Sequence, residues 1–423
     1  MADALRGLPG VSAKTNSRGE TIARVRGAEE RQTQVFLDGA PLAVPWDGRV
    51  DLGVLPAGLV SEVRVVKGAV PIEYGANAVA GAVDFRTANR DASGIEAVAQ
   101  GGTAGFGNAS LVAATRAGSF DLLFAASGVT RDAEPVADLD ALPFSQVSRN
   151  RRTNSDLDTL SLFSAIGYES AAFAGRVSLL RVTTRRGIAP ESDRDPAAAS
   201  PRYWRYPDID TTQLTVGSTI DLGPAASLKF TGWRQWFAQA IDQYSDATYR
   251  ERQMRQDDDD DTLGGRVTLA VGIDRLHLRL SANAQTARHA QVDTNIATGV
   301  AGPRLVYRQN LYTLGAEFDA PLGPVDATFG VAYDRATTPR TGDKPAQGDM
   351  DALAFSLALR TDLSHDVRLT LSGGRRTRFP SARELFGEAL GRFLINPDLK
   401  PATAWLADAE LAWSRPGFSL SVN

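Results

Sequence analysis

The chain of 423 residues contains no cysteine, which excludes a disulfide scaffold, a thiol nucleophile and a cysteine-based metal site. Only three histidines occur, His277, His289 and His365, and none sits in a metal-ligand or triad spacing. No apolar run reaches the ~18 residues that a membrane helix needs. Excess charge of one sign is missing too: 46 Lys and Arg against 50 Asp and Glu leave a net charge of −4. With its basic residues scattered, such a chain offers no face for nucleic acid. The glycine-rich stretch 101–107 lies at a strand junction and opens no helix, so it lacks the geometry of a phosphate loop. No enzymatic constellation is found, and no cofactor is expected.

What is present is a rhythm of strands about ten to twelve residues long, joined by gaps that alternate short and long. The short gaps are tight turns such as Ala117–Gly118–Ser119, Ile273–Asp274–Arg275 and Ser414–Arg415–Pro416–Gly417. The long gaps are polar, roughly 15 to 27 residues each, around Thr130–Asp156, Thr184–Asp208, Ala238–Asp261, Ala287–Arg308, Ala336–Met350 and Arg375–Ala402. Short turns at one end and long loops at the other are the layout of an outer-membrane β-barrel. A soluble sandwich has no reason to keep its long loops at one end.

The strand faces agree. In Leu276–His277–Leu278–Arg279–Leu280–Ser281 the leucines point one way and the polar residues the other, because side chains alternate across a strand. Val325, Ala327, Phe329, Val331 and Tyr333 repeat the pattern. Apolar outside and polar inside suits lipid around a wet or plugged lumen. Trp405 and Trp413 share one face, roughly 26 Å apart along the strand, or about 19 Å of depth at ~45° tilt, which fits two aromatic girdles.

Residues 1–90 differ. Short strands are expected at Ile22–Val25, Gln34–Leu37, Val63–Val66 and Ala82–Arg86. Met1–Leu8 reads as a helix end stopped by Pro9–Gly10, and Ala57–Glu62 as a helical turn. This is a small α+β unit ahead of the barrel strands of 91–423. Its segments Leu8–Pro9–Gly10–Val11, Arg24–Val25–Arg26–Gly27 and Val35–Phe36–Leu37–Asp38–Gly39 lead to Ser61–Glu62–Val63–Arg64–Val65–Val66–Lys67–Gly68 and Glu73–Tyr74–Gly75. Gly81, with small Ala78, Ala80 and Ala82, lets backbones approach closely. These segments resemble the plug domain of TonB-dependent outer-membrane receptors. Phe379–Pro380–Ser381–Ala382–Arg383–Glu384–Leu385–Phe386 and Asn396–Pro397–Asp398–Leu399–Lys400–Pro401 resemble the family's entry into a late barrel strand.

The resemblance spans essentially the whole chain and implies a transmembrane antiparallel β-barrel with an N-terminal α+β plug domain. It implies an outer-membrane location, uptake of a large scarce nutrient such as a ferric siderophore, and energy delivered by TonB through a TonB box. Outer-membrane lipid and lipopolysaccharide would surround the barrel. Cobalamin, heme and oligosaccharide remain open as cargo, and a passive porin or adhesin remains the rival class. Met1–Gly7 carries neither a charged nor an apolar leader region, and about fifteen barrel strands are counted against the family's 22. A fragment that begins inside the plug and lacks the last strands is therefore expected, and a non-functional remnant is its other reading.

The resemblance places ligand at the outward apices of the plug and on the long loops. Carried over by position, the apices are Glu29, Glu30, Arg31 and Gln32, and Trp46, Asp47 and Arg49. Trp46 offers a stacking face, or packs the plug against the wall; Arg49 offers a fork for an anionic chelate. Tyr203, Trp204 and Arg205, just before a strand, are expected in the outer aromatic girdle, with cargo stacking as the alternative. The five aspartates 257–261 read as a solvated charge run in a long loop, with calcium ligation, for which a run offers oxygens without defined geometry, as the alternative.

Overall fold

The structure, a computed structural model, describes residues 5–423 apart from 45, 57, 69, 88–92, 138–140, 200, 389, 391–392 and 397. Of the expected first helix, residues 1–4 lie outside that set; Leu5 and Arg6 are helical. Pro45, Ala57 and Pro397 also lie outside it.

The plug begins with a hairpin, β1 (Val11–Thr15) on β2 (Thr21–Val25). Strands β3 (Thr33–Leu37), β4 (Ala40–Pro41), β5 (Val60–Lys67) and β6 (Gly81–Thr87) form a four-stranded sheet in the order β4-β3-β6-β5, with only β3 and β6 parallel. The expected helical turn before Val63 is instead the start of β5, whose branched residues suit an extended backbone. A Cβ on Gly81 would lie 2.6 Å from the Val66 carbonyl oxygen, so only glycine lets β6 approach β5 there.

From β7 (Gly94–Gly101) onward each strand pairs antiparallel with the next: β8 (Gly107–Ala117), β9 (Phe120–Arg131), β10 (Leu157–Glu169), β11 (Phe173–Gly187), β12 (Trp204–Asp221) and β13 (Ala226–Tyr244). The order continues through β14 (Arg252–Ile273), β15 (Leu276–Asn295), the two-residue β16 (Val300–Ala301), which pairs only with β15, and β17 (Leu305–Leu322). It ends with β18 (Val325–Thr341), β19 (Met350–Ser364), β20 (Val367–Arg378), the short helix α1 (Ala382–Phe386), β21 (Ala402–Arg415) and β22 (Phe418–Val422). The sheet holds 16 strands, and β7 and β22 are its edges.

β14 shows why the sheet sits in lipid at one level and in water above it. Leu263, Val267 and Ile273 point outward, while Thr262, Arg266 and Thr268 point inward and are buried. Outward aromatics mark two levels. Trp236, Tyr312, Tyr333 and Trp405 lie toward the long-loop end; the Phe120–Tyr168 and Trp413–Phe418 pairs lie at the short turns.

Several expected loops are strand instead. β13 runs to Tyr244 and β14 starts at Arg252, so that gap shrinks to 245–251. The 22 residues of β14, at ~45° tilt, rise about 50 Å, roughly twice the apolar band of a membrane barrel. Asp257–Asp261 therefore belong to a strand and not to a loop. Asp258 and Asp260 face inward and are 4% and 5% exposed, whereas Asp257 and Asp259 face solvent. The expectation failed because charged residues read as loop, yet above the membrane a barrel strand is wet on its outer face. The gaps 132–156 and 379–401 remain long connections.

Candidate functional site

The plug meets the barrel wall at its second apex and along two flanks. Glu29 caps the 3-10 turn Glu30–Gln32 and accepts from Arg31 N at 3.2 Å and Arg31 Nη1 at 2.8 Å. Arg31 Nε donates to the Asp47 carbonyl at 2.7 Å, so one guanidinium ties the first apex to the second. The Gln32 carbonyl accepts from Ala80 N at 2.9 Å. Burial acts first on Glu30 and lifts its carboxyl above the usual carboxylate range.

The second apex is pinned to the wall. Trp46 is 7% exposed and lies against His289 of β15 and Tyr307 of β17, in one cluster with Ala382, Leu385 and Phe386. Of the two roles expected for Trp46, cargo stacking and packing against the wall, the contacts seen are those of packing. Arg383 N donates to the Trp46 carbonyl at 2.8 Å.

Arg49 is also committed. Its guanidinium pairs with Asp47, and its Nη1 reaches both Glu20 oxygens at 2.9 and 2.7 Å. The expected fork for an anionic chelate is thus filled from within the plug. Three arginines converge on Asp47: Arg49, Arg383 at 3.5 Å and Arg18 at 3.9 Å. Burial alone would raise the Asp47 carboxyl, but these cations overcome it and hold the group well below the usual range. Glu20 is held low in the same way, against its burial, chiefly by Arg49. Burial would weaken the Arg49 charge, but Asp47 and Glu20 strengthen it further.

The network continues onto the wall. Arg18 Nη1 donates to the Tyr206 hydroxyl at 3.1 Å, and Arg186 of β11 pairs with Asp51 of the plug. Asp51 also accepts from Thr21 N and Gly53 N, each at 2.9 Å. Of the segment expected in the outer girdle, Tyr203 and Trp204 are buried, and so is the neighbouring Tyr206. Trp204 and Tyr206 pack with Ile188 and Ile241, and the Tyr203 hydroxyl lies 2.8 Å from Ser145 Oγ. Arg205 donates to Asn154 at 2.6 Å and Asp156 at 2.5 Å. These aromatics hold long loops together above the membrane, where an inward-facing ring gains more by burial than by joining a girdle.

Among the described residues no group of three or more His, Asp or Glu side chains is placed to hold a metal ion. The seam therefore contains buried ion pairs, stacked aromatics and backbone bonds that join plug to wall. Such an assembly can close a lumen and can be broken without breaking the barrel.

Comparison with known proteins agrees with this geometry. A model of the TonB-dependent receptor plug domain matches residues 1–82, and one of the TonB-dependent receptor-like β-barrel matches 148–423. The chain belongs to the TonB-dependent receptors. The receptor is 32% identical over 92 residues to the vitamin B12 transporter BtuB of Vibrio vulnificus, covering 21% of this chain and 15% of that protein. Among solved structures, the copper transporter OprC superposes with a TM-score of 0.80 at 16% identity, over 98% of this chain and 66% of that one. The FrpB iron transporter from Neisseria meningitidis gives 0.75 at 15% identity, over 99% and 68%. The ferric enterobactin receptor PfeA gives 0.70 at 15% identity, over 99% and 68%. The receptor chain thus spans about two thirds of the length of these structures.

His289, Tyr307, Arg18, Glu20, Arg186 and Arg383 are seam residues that the sequence reading did not select. For His289 a signal was available. The two-residue turn Asp274–Arg275 pairs Ile273 with Leu276, and thirteen residues further up it pairs Asp260 with His289.

Proposed function

We propose that this receptor takes up a large, scarce nutrient across the bacterial outer membrane, driven by the inner-membrane proton gradient through TonB, and that the cargo is a ferric siderophore. The observation that carries the uptake reading is the plug, held inside the wall by ion pairs and stacked rings. A passive pore needs no such closure, and a closure held by breakable contacts calls for an energy source. Iron as cargo is supported by the names of two structural relatives, the FrpB iron transporter and the ferric enterobactin receptor. The short match to a vitamin B12 transporter favours a corrinoid as the second reading. Cargo would meet the apex residues Glu29, Glu30, Arg31 and Gln32, with Arg205 on the facing rim. Trp46, Asp47 and Arg49 would report its arrival to the wall. Lipid and lipopolysaccharide would cover the outer face.

The test is growth and uptake in cells with and without the gene. Under iron restriction, a panel of iron-59-loaded siderophores should include one whose uptake depends on the gene and stops when the proton gradient is collapsed. Uptake of cyanocobalamin instead would move the assignment to the corrinoid. Gene-independent uptake of every candidate would overturn the reading.

A further inference from the structure

Two cavities lie one above the other against the same part of the wall. The upper, about 90 Å³, is lined by polar and aromatic groups, among them Asn283, Gln285, Thr313 and Trp233, with two arginines, Arg31 and Arg378. The lower, about 850 Å³, is lined by charged groups, among them Arg279, Glu317, Asp319, Asp326 and Arg360. On β15 the inward residues Arg279 and Asn283 belong to the lower and upper cavity respectively, and between them Ser281 pairs with Gly315 of β17. At that level the plug turn Ile72–Tyr74 meets the wall.

The turn is held by a knob in a notch. Ile72 is buried against Ala332 and Ala354. A Cβ on Gly315 would lie 2.0 Å from Ile72 Cγ2, and one on Gly330 would lie 2.6 Å from Ile72 Cδ1. Both glycines are thus what makes room for the isoleucine. Two neutral backbone donors complete the contact: Ile72 N to Glu317 at 3.4 Å and Ala76 N to Thr313 Oγ1 at 3.2 Å. Beside the turn, Arg266 and Arg376 are buried, and each has two guanidinium nitrogens without an acceptor among the described residues.

The opposite flank is built differently. There Leu52, Leu55 and Leu59 of the plug share one apolar cluster with Leu123, Phe163 and Leu180 of the wall. The Asp51–Arg186 pair and a 2.5 Å bond from Ser161 Oγ to the Val54 carbonyl reinforce it. That flank also holds cavities, of about 80 and 430 Å³, but an apolar cluster and an ion pair join it to the wall, whereas the turn Ile72–Tyr74 is held by one apolar side chain and two backbone bonds.

We propose that cargo crosses the lumen along the β15–β18 wall, with the plug turn Ile72–Tyr74 as the gate between the two cavities. The proposal rests on the uptake reading. Withdrawing Ile72 from its notch joins the upper cavity to the lower one, while the apolar flank stays docked as a hinge. Polar and charged groups line both cavities, which suits a hydrated, polar cargo.

The test uses the intact receptor in planar bilayers, with potassium chloride as the probe and urea added in steps. The chain has no cysteine, so Ile72→Cys with Gly315→Cys forms a unique pair. The oxidised pair is expected to stay closed at urea concentrations where the parent conducts, and reductant is expected to restore opening. In a second variant, Ile72→Ala should conduct at a lower urea concentration than the parent. Heat-modifiable migration checks that each barrel has folded. Opening of the oxidised pair at the parent's urea concentration, or an Ile72→Ala channel as tight as the parent, overturns the gate. Potassium flux is independent of cargo, so a failed cargo assignment would leave this result standing.

Discussion

The indole of Trp46, on the plug, lies flat on the imidazole of His289, on β15, with ring centroids 3.8 Å apart and planes 9° from parallel. His289 is in turn bonded through Nδ1 to Asp260, the inward aspartate opposite it in the ladder. The plug apex is thus seated on a side chain whose orientation the wall has already fixed.

Removing that seat should loosen the plug before it touches the cargo. Trp46→Ala is expected to cost about 3 kcal/mol of plug docking, the usual loss for a buried aromatic. Limited proteolysis around residues 44–49 across a urea series would read it. Trp46→Phe should recover part of the loss. Proteolysis unchanged in Trp46→Ala would mean that the stack does not hold the apex.

Arg49 carries a larger burden. Arg49→Ala leaves Glu20 without its main partner and removes one of three cations from Asp47, so a loss of about 3–5 kcal/mol is expected. Arg49→Lys keeps the charge but not the fork, and should fall between. The midpoint of plug release in urea measures both. If Arg49→Ala matches the parent, the network is not what holds the apex.

Strand parity across the aspartate run can be read directly in this cysteine-free chain. Single cysteines at 257, 259 and 261 should react with a membrane-impermeant maleimide in whole cells. Those at 258 and 260 should be protected, since both positions face inward and are buried. Uniform labelling of all five would return the run to a loop.

Acid should act on the loop that carries α1. Burial would raise the Glu384 carboxyl, but bonds from Arg378 and Ser381 hold it down at about 2, against an ordinary 4.5. A depressed carboxylate stabilises the fold above its unfolded value and loses that contribution as pH falls through its folded one. Protease resistance of the helix Ala382–Phe386 should therefore be full above pH 4.5 and decline toward pH 2. In Glu384→Gln, resistance should be lower at neutral pH and lack this acid step.

Deleting residues 1–87 from the intact receptor should convert a closed barrel into a conducting one in planar bilayers. A membrane as tight as with the parent would remove the plug from the account of closure.

The barrel was legible because alternation and turn length are local properties. Leu276–Leu278–Leu280 and the tight Asp274–Arg275 turn each announce themselves within a few residues. The plug was legible through the run from Ser61 to Thr87, whose close-packed Gly81 is required by its neighbours. The seam was not, because it joins residues far apart in sequence: Asp51 with Arg186, Asp47 with Arg383, Trp46 with His289. Trp46 and Arg49 looked like surface chemistry because most of their partners, His289, Tyr307 and Glu20, are distant in sequence. Tyr203 and Trp204 looked like a girdle because strands this long were not anticipated. Once β13 and β14 extend well past the membrane, an aromatic near a strand end lies above the lipid and turns inward.

That extra height sets how long a visitor stays. His289 marks the level of the second apex, and β15 continues six more residues to Asn295, about 14 Å higher at ~45° tilt. The apex therefore lies at the bottom of a well and not on a flat surface. A molecule that lets go of it meets the rim before it meets open water, and collides with the apex again before it can diffuse away. Cargo resting on that floor would therefore stay longer than the strength of its own contacts would give.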